Sequence, residues 1–282
     1  MRKKIITMTG LIVLMILSIS ITSQAYKKRT YARTASISAE DYGKILDTLR
    51  SHEPAMGAPG EALLYDTGIR PKDEDEACRM INSFSAAYLG DKDFVIIYDE
   101  GGYDRPTVKT AASTDDGTET KVTFGGIGGK PSIYAGWLPD SDPEKSLKEH
   151  DGAWEALSAA AKAAPSGRKA RHEYFRDYLC RMLSPETGGK NNGAAILSCR
   201  GQSAAYASCF YALCMMCGDD CLYVPVTGAA GSGRYFRNAV EENGKYYWID
   251  TYMADKDGGK GYFYVPVSGQ FTEVFEGPYI IR

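Results

Sequence analysis

Apolar residues recur at helical spacing between positions 73 and 88, where Ala77, Met80, Ile81, Phe84 and Tyr88 share one side behind an acidic first turn. That turn suits the positive end of the helix dipole and reads as a solvated helix start. Residues 94–98 form a continuous apolar run of strand length, and 122–124 a shorter one. An alanine-rich helix follows over 154–164, stopped by Pro165 and Gly167. The next helix, 169–183, places Tyr174, Phe175, Tyr178, Leu179, Met182 and Leu183 on its apolar side. A third spans 203–217 and ends at Gly218.

Beyond Gly218 the period changes to two. Strands are predicted over 222–226, 235–241, 245–250 and 262–267, with a Gly/Ala/Ser loop at 227–233. The Asn243-Gly244 pair is a strong signal for a tight hairpin. Helices precede a mostly antiparallel sheet, so the fold class is α+β. No internal repeat is visible.

The N-terminus adds an address. Arg2, Lys3 and Lys4 precede a largely apolar run from Ile5 to Ile21, with small residues at Ser23 and Ala25. Residues 1–25 therefore read as a secretory signal peptide or an uncleaved membrane anchor, and the chain as secreted or held at the cell surface. Residues 26–40 are basic, then rich in Ser, Thr and Ala, and read as a linker. The balance of 33 basic and 36 acidic residues gives a formal charge of -3, which supplies no field for a polyanion and argues against nucleic acid. Any membrane contact runs through the N-terminal segment alone.

Candidate chemistry is narrowed by what fails. The run 125–130 is glycine-rich and ends in Lys130, but Pro131 stands where a phosphate loop needs a hydroxyl and Phe124 where it needs its first glycine. The chain has seven cysteines and three histidines, His52, His150 and His172. Cys214 and Cys217 lie within one helix with no flanking knuckle, so Cys209, Cys214, Cys217 and Cys221 read as packing thiols, and no metal or cofactor is implied. In an exported chain Cys180, Cys199 and Cys221 are candidates for disulfides, and the odd total leaves at least one thiol free.

Residues 201–207, Gly-Gln-Ser-Ala-Ala-Tyr-Ala, open an apolar helix that reaches Gly218 without a gap; Cys221-Leu222-Tyr223-Val224 begins the strands. With Tyr235-Phe236-Arg237-Asn238 and Tyr246-Tyr247-Trp248-Ile249-Asp250-Thr251, these segments resemble the transglutaminase-like, papain-related superfamily in its secreted bacterial form. Ala194 to Leu197 and the helix from His172 to Leu179 are similar to that family's approach to its site. The resemblance implies a nucleophile-bearing helix packed on an antiparallel sheet. It makes 150–282 the core domain and 41–149 an N-terminal α/β extension.

The family carries a cysteine nucleophile at the helix start, a histidine on one strand and an aspartate on the next. At the matching positions stand Ser203, Tyr235 and Asp250, and only the aspartate is kept. Tyrosine, with an ordinary pKa of about 10, is a poor general base near neutral pH. All three histidines precede Ser203, whereas the family's follows its nucleophile; His172 reads as a structural residue on a packed helix. Cys199, four residues before Ser203, is an alternative nucleophile only at the cost of the ungapped helix length. The density of aromatics supplies candidate binding residues, Tyr206 on the helix and Phe236 and Trp248 on the strands, with Asn238 beside them. Such rings grip an extended peptide, a protein or a cell-wall glycan by face packing. The expectation is a catalytically inactive binding or scaffolding module at the cell envelope. The alternative is an active peptidase or protein-glutamine amide-transfer enzyme acting through Ser203 or Cys199.

Overall fold

A computed structural model describes residues 30–31, 37–54, 61–99, 105–111, 119–125, 131–227, 234–267 and 273–274. The signal or anchor segment, most of the glycine-rich run 125–130 and the loop 228–233 lie outside the described residues. Among the described residues no helix is long and apolar enough to cross a membrane.

In chain order, strand β1 (Thr30–Tyr31) precedes helix α1 (Ala39–Ser51), strands β2 (Glu61–Leu63) and β3 (Tyr65–Asp66), and helix α2 (Glu74–Ala87). Strands β4 (Phe94–Asp99), β5 (Arg105–Ala111), β6 (Glu119–Gly125) and β7 (Ser132–Trp137) follow. Then come helices α3 (Pro143–Ala163) and α4 (Arg168–Met182), strand β8 (Ser184–Lys190), the one-turn helix α5 (Ala195–Ser198), strand β9 (Arg200–Gly201) and helix α6 (Ser203–Met216). The last part holds β10 (Leu222–Thr227), β11 (Arg234–Glu242), β12 (Lys245–Ile249), helix α7 (Thr251–Asp257), β13 (Phe263–Pro266) and β14 (Glu273–Val274).

The α+β class holds. Strands β10 to β13 form a four-stranded antiparallel sheet in sequence order, and α6 packs on it through β11. The β11–β12 hairpin closes through Asn243 and Gly244, both with left-handed backbone at φ 55° and 74°. That is the turn the Asn-Gly pair predicts, because glycine and asparagine tolerate this conformation best. A second sheet, β3-β7-β4, is buried along the whole of β4 and β7, and β2-β5-β6 forms a third.

Three elements begin earlier than the sequence suggests. The linker ends before residue 40: Ile37 is buried, and Ser38 caps α1 by accepting the Asp41 N–H at 3.0 Å. The alanine-rich helix starts at Pro143, not near Trp154, with Asp142 accepting the Lys145 N–H at 3.0 Å; Gly152 in its middle breaks the apolar pattern that marks its second half. The short strand at 122–124 is the centre of β6, a seven-residue strand paired with β5.

The expected division at 149/150 falls inside α3. One buried cluster draws on Ile45 of α1, Phe84 of α2, Leu157 of α3, Leu179 of α4, Phe210 of α6 and Ile249 of β12, so packing is continuous across that point. Truncating a fully buried ring such as Phe210 to alanine costs about 3–5 kcal/mol in a core of this kind. The apolar side of α4 also ties the layers: Phe175 and Leu179 are buried while Tyr178 donates its hydroxyl to the Ala156 carbonyl at 3.2 Å.

Candidate functional site

The site is built where α6 begins. Cys199 ends α5 in the left-handed conformation and turns the chain into β9, which runs beside β8. At Gly201 the backbone passes so close to α5 and α6 that a Cβ would stand 3.0 Å from the Ala205 Cβ and 3.2 Å from the Ala195 Cβ. Glycine therefore sets how near Ser203 comes to the packed layers. Gln202 holds the entry, with its backbone N–H on the Lys190 carbonyl and its side-chain amide on the Gly189 carbonyl, at 3.0 and 2.8 Å.

Ser203 is the first residue of α6 and only 7% exposed. Its Oγ accepts the backbone N–H of Phe236 at 3.2 Å, which ties the helix start to β11 one residue from Tyr235. The Tyr235 hydroxyl donates to Asp250 Oδ1. Asp250 closes β12 and caps α7, the same oxygen accepting the Met253 N–H at 3.0 Å. The structure thus brings Ser203 to β11 beside Tyr235, and joins Tyr235 directly to Asp250.

Electrostatics oppose acid–base work. Burial, then the bond to Asp250, pushes the Tyr235 phenol well above its ordinary pKa, so it stays protonated and donates. Burial also raises Asp250, against the lowering pull of Tyr235, Met253 and Arg237. The histidines work elsewhere. His52 stacks on Tyr65 at 3.6 Å, and His150 stacks on Tyr88 at 4.6 Å, accepting the Leu89 N–H on Nδ1 at 3.2 Å. Burial lowers the His150 pKa to about 4, so it is the neutral ring that is packed there.

His172 is enclosed between α4 and the sheet. A bulge opposite Trp248 and Ile249 accompanies left-handed backbone at Tyr264, whose hydroxyl meets His172 Nδ1 at 2.9 Å. The other ring nitrogen stands 3.2 Å from Asp219 Oδ2, at ion-pair distance but without hydrogen-bond alignment. Arg171 grips the same carboxylate with two N–H groups, at 2.7 and 2.6 Å. Burial works to raise Asp219, but the adjacent His172 ring and the two bonds from Arg171 outweigh it and hold the carboxyl at about 2.

The binding candidates separate. Asn238 is buried, and its Nδ2 braces the carbonyls of Ala207 and Leu222 at 3.0 and 3.3 Å, so it fastens β11 to α6 and β10 instead of facing a ligand. Tyr206 is buried as well, with its hydroxyl on Asp255. Phe236 is half-buried and stacks on Tyr223 at 5.0 Å, and Trp248, also half-buried, lies under the Arg237 guanidinium at 3.6 Å. Cys199 is exposed and separated from the helix start by β9 along the chain, and all seven cysteines are free thiols. Burial puts Cys180 and Cys209 at about 12, out of the range of useful nucleophiles.

Sequence reasoning missed the second tyrosine–aspartate pair. Asp255 lies on α7, and burial raises its carboxyl while Tyr206 pulls it back down. Tyr252, on the same helix, stands edge-on to Tyr206 and to Tyr235, at 5.5 and 6.0 Å. The signal was present: an aspartate at the cap position and Gly258 with φ 62° bracket a short helix.

No protein-family model and no curated protein matches the chain. Solved structures resemble it loosely. A structure described as a TGase shares 13% identity over 51% of this chain and 44% of its own, with a TM-score of 0.32, so this chain spans less than half of it. The periplasmic domain of TgpA from Pseudomonas aeruginosa shares 9% identity over 63% of this chain and 76% of that one, with a TM-score of 0.32. The same domain bound to ethylmercury shares 10% over 80% and 97%, with a TM-score of 0.31.

Proposed function

We propose that this chain is a transglutaminase-like domain exported to the cell envelope, where its helix-and-sheet site binds a ligand without transforming it. The observation that carries this reading is the Tyr235–Asp250 bond. The lone pair that would orient an imidazole is taken up by a phenol whose own pKa is raised, so Tyr235 is not poised to remove a proton from Ser203. Ser203 itself serves as a hydrogen-bond acceptor for the strand. The half-buried rings of Phe236 and Trp248, with Arg237 stacked on the latter, suit an extended peptide, a protein segment or a cell-wall glycan held by ring faces.

The test is a paired assay on the purified chain and Ser203→Ala, measuring peptide hydrolysis and incorporation of a primary amine at glutamine. Neither activity is expected from either protein. Activity that Ser203→Ala abolishes would overturn the reading. A thiol probe covers the competing enzyme: labelling of Cys199 far faster than of an unfolded control would mark an activated nucleophile, and ordinary labelling is expected.

A further inference from the structure

We propose that Arg237 is the charge by which the site reads its ligand, and that this ligand is a peptide bearing a carboxylate. The inference rests on the binding reading above and narrows its ligand class. Strand β11 sends alternate side chains to opposite sides of the sheet. Asn238 turns toward α6, with its amide on the Ala207 carbonyl at 3.0 Å, so Arg237 faces the other side. Ala239 stands opposite Trp248 and Asn238 opposite Ile249, a register that brings Trp248 and Asp250 to that same side of β12. There the Arg237 Cζ lies 3.6 Å from the centre of the Trp248 ring. Val224, across from Arg237 on β10, and Ala239 are buried in the small cluster against which Trp248 packs, so the ring is a fixed platform. Tyr235, two residues before Arg237, shares its side and bonds to Asp250.

The guanidinium has no counter-ion in contact. Among the described residues it makes no hydrogen bond or ion pair, and its Nε is enclosed without an acceptor. Asp250 does not fill that role, because its Oδ1 takes the Tyr235 hydroxyl and the Met253 N–H. Arginines elsewhere in the chain show the satisfied state: Arg171 holds Asp219, and Arg70 holds Asp66, each with two N–H groups.

A half-buried guanidinium stays charged near neutral pH, and leaving it unpaired is costly. An arriving carboxylate relieves that cost. Its two oxygens match the planar fork of donors, and a guanidinium laid flat on a ring presents that fork in a set plane. The neighbouring Asp250 favours a singly charged carboxylate over a doubly charged phosphate. A neutral glycan offers no charge in return, whereas a peptide carries a carboxylate at its C-terminus and on every acidic side chain.

The test titrates the full chain with three dansyl-labelled peptides and follows dansyl anisotropy. One is Tyr-Ala-Gln with a free C-terminal carboxylate, one is Tyr-Ala-Glu with an amidated terminus, and one is Tyr-Ala-Gln amide, which has no carboxylate. At least one acid is expected to bind about tenfold tighter than the neutral amide, and the better acid tells whether a terminus or a side chain is read. Arg237→Gln should remove the preference, and Arg237→Lys, which keeps the charge without the fork, should restore part of it. In the wild type alone the preference should shrink between about 50 and 500 mM salt, so a variant that fails to fold does not decide the matter. Equal binding of all three peptides, binding of none, or a preference that survives Arg237→Gln overturns the proposal. Equal binding without cleavage would still leave the non-catalytic reading standing. Cleavage of a peptide, read by mass in the same samples, would overturn that reading instead, so the two failures are told apart.

Discussion

The two ends of α6 each carry a buried aspartate, and the chain treats them in opposite ways. At the N-terminal end Asp250 is 6% exposed and accepts from a neutral phenol; at the C-terminal end Asp219 is 7% exposed and accepts from a guanidinium. The first carboxyl is raised and the second is lowered to about 2. Burial is nearly equal, so the charge of the partner decides. The end that keeps an aspartate and a histidine in contact is sealed, and the end that holds Ser203, Tyr235 and Asp250 has no imidazole among the described residues bonded to them. A histidine beside an aspartate is thus no evidence of catalysis when both are enclosed and a cation already satisfies the carboxylate.

This contrast breaks most visibly under substitution of the sealed carboxylate. Asp219→Ala should leave the Arg171 charge without its partner and cost about 3–5 kcal/mol in urea unfolding. A loss no greater than that of an exposed control would show that the cluster is decorative.

Acid provides the next largest effect. His150 has its pKa lowered to about 4 from about 6.5, so the unfolded chain binds its proton first. Stability from this residue is full above pH 6.5, falls as pH drops toward 4, and amounts to about 3 kcal/mol. Asp219 is lowered as well, so its contribution is present above its ordinary value and lost as pH falls toward about 2. Asp250 and Asp255 are raised, so theirs has the opposite sign: it is present below the ordinary carboxyl value and lost as pH rises through the folded one. Urea melts of wild type and His150→Phe at several pH values separate these slopes; a wild type as stable at pH 4 as at pH 7 would contradict the assignment.

A smaller effect sharpens the site end. Asp255→Asn keeps an acceptor for Tyr206 and removes a carboxylate that burial disfavours, so stability at pH 7 should change by less than about 1 kcal/mol or rise. Asp219→Asn, in contrast, should be clearly destabilising. Equal losses in both would erase the difference between the two ends. Finally, Ser203→Cys combined with Tyr235→His should alkylate about threefold faster at position 203 than Ser203→Cys alone, the net gain of a one-unit fall in thiol pKa once the lower nucleophilicity of the thiolate is counted. No difference would mean that an imidazole at 235 does not reach the helix start.

Much of this arrangement was legible because it is local. The period-two pattern and Asn243-Gly244 give the hairpin in register, and the ungapped spacing from Ser203 to Gly218 gives α6 almost to the residue. The candidate site positions came instead from the resemblance that these segments carry. What stayed hidden depends on distant partners or short elements. Arg171 and Asp219 are 48 residues apart, and nothing in the pattern around either pairs them. Helix α7 has seven residues, too few for a period to show, so Tyr252 and Asp255 went unread. Gly152 interrupted the first half of α3, and Asn238 stood among the binding candidates because a strand pattern does not reveal that its amide nitrogen is spent on two carbonyls.

The course of α3 reaches beyond the site. Ser146 and His150 lie in its first half, bonded to Tyr88 and to the Leu89 backbone, while Leu157 and Ala160 in its second half are buried in the same core as α6. A single rod is shared by the early and late parts of the chain, so neither is an exchangeable cassette. A hybrid gene joined near codon 150 would inherit half a helix and an aromatic nest with its lid removed.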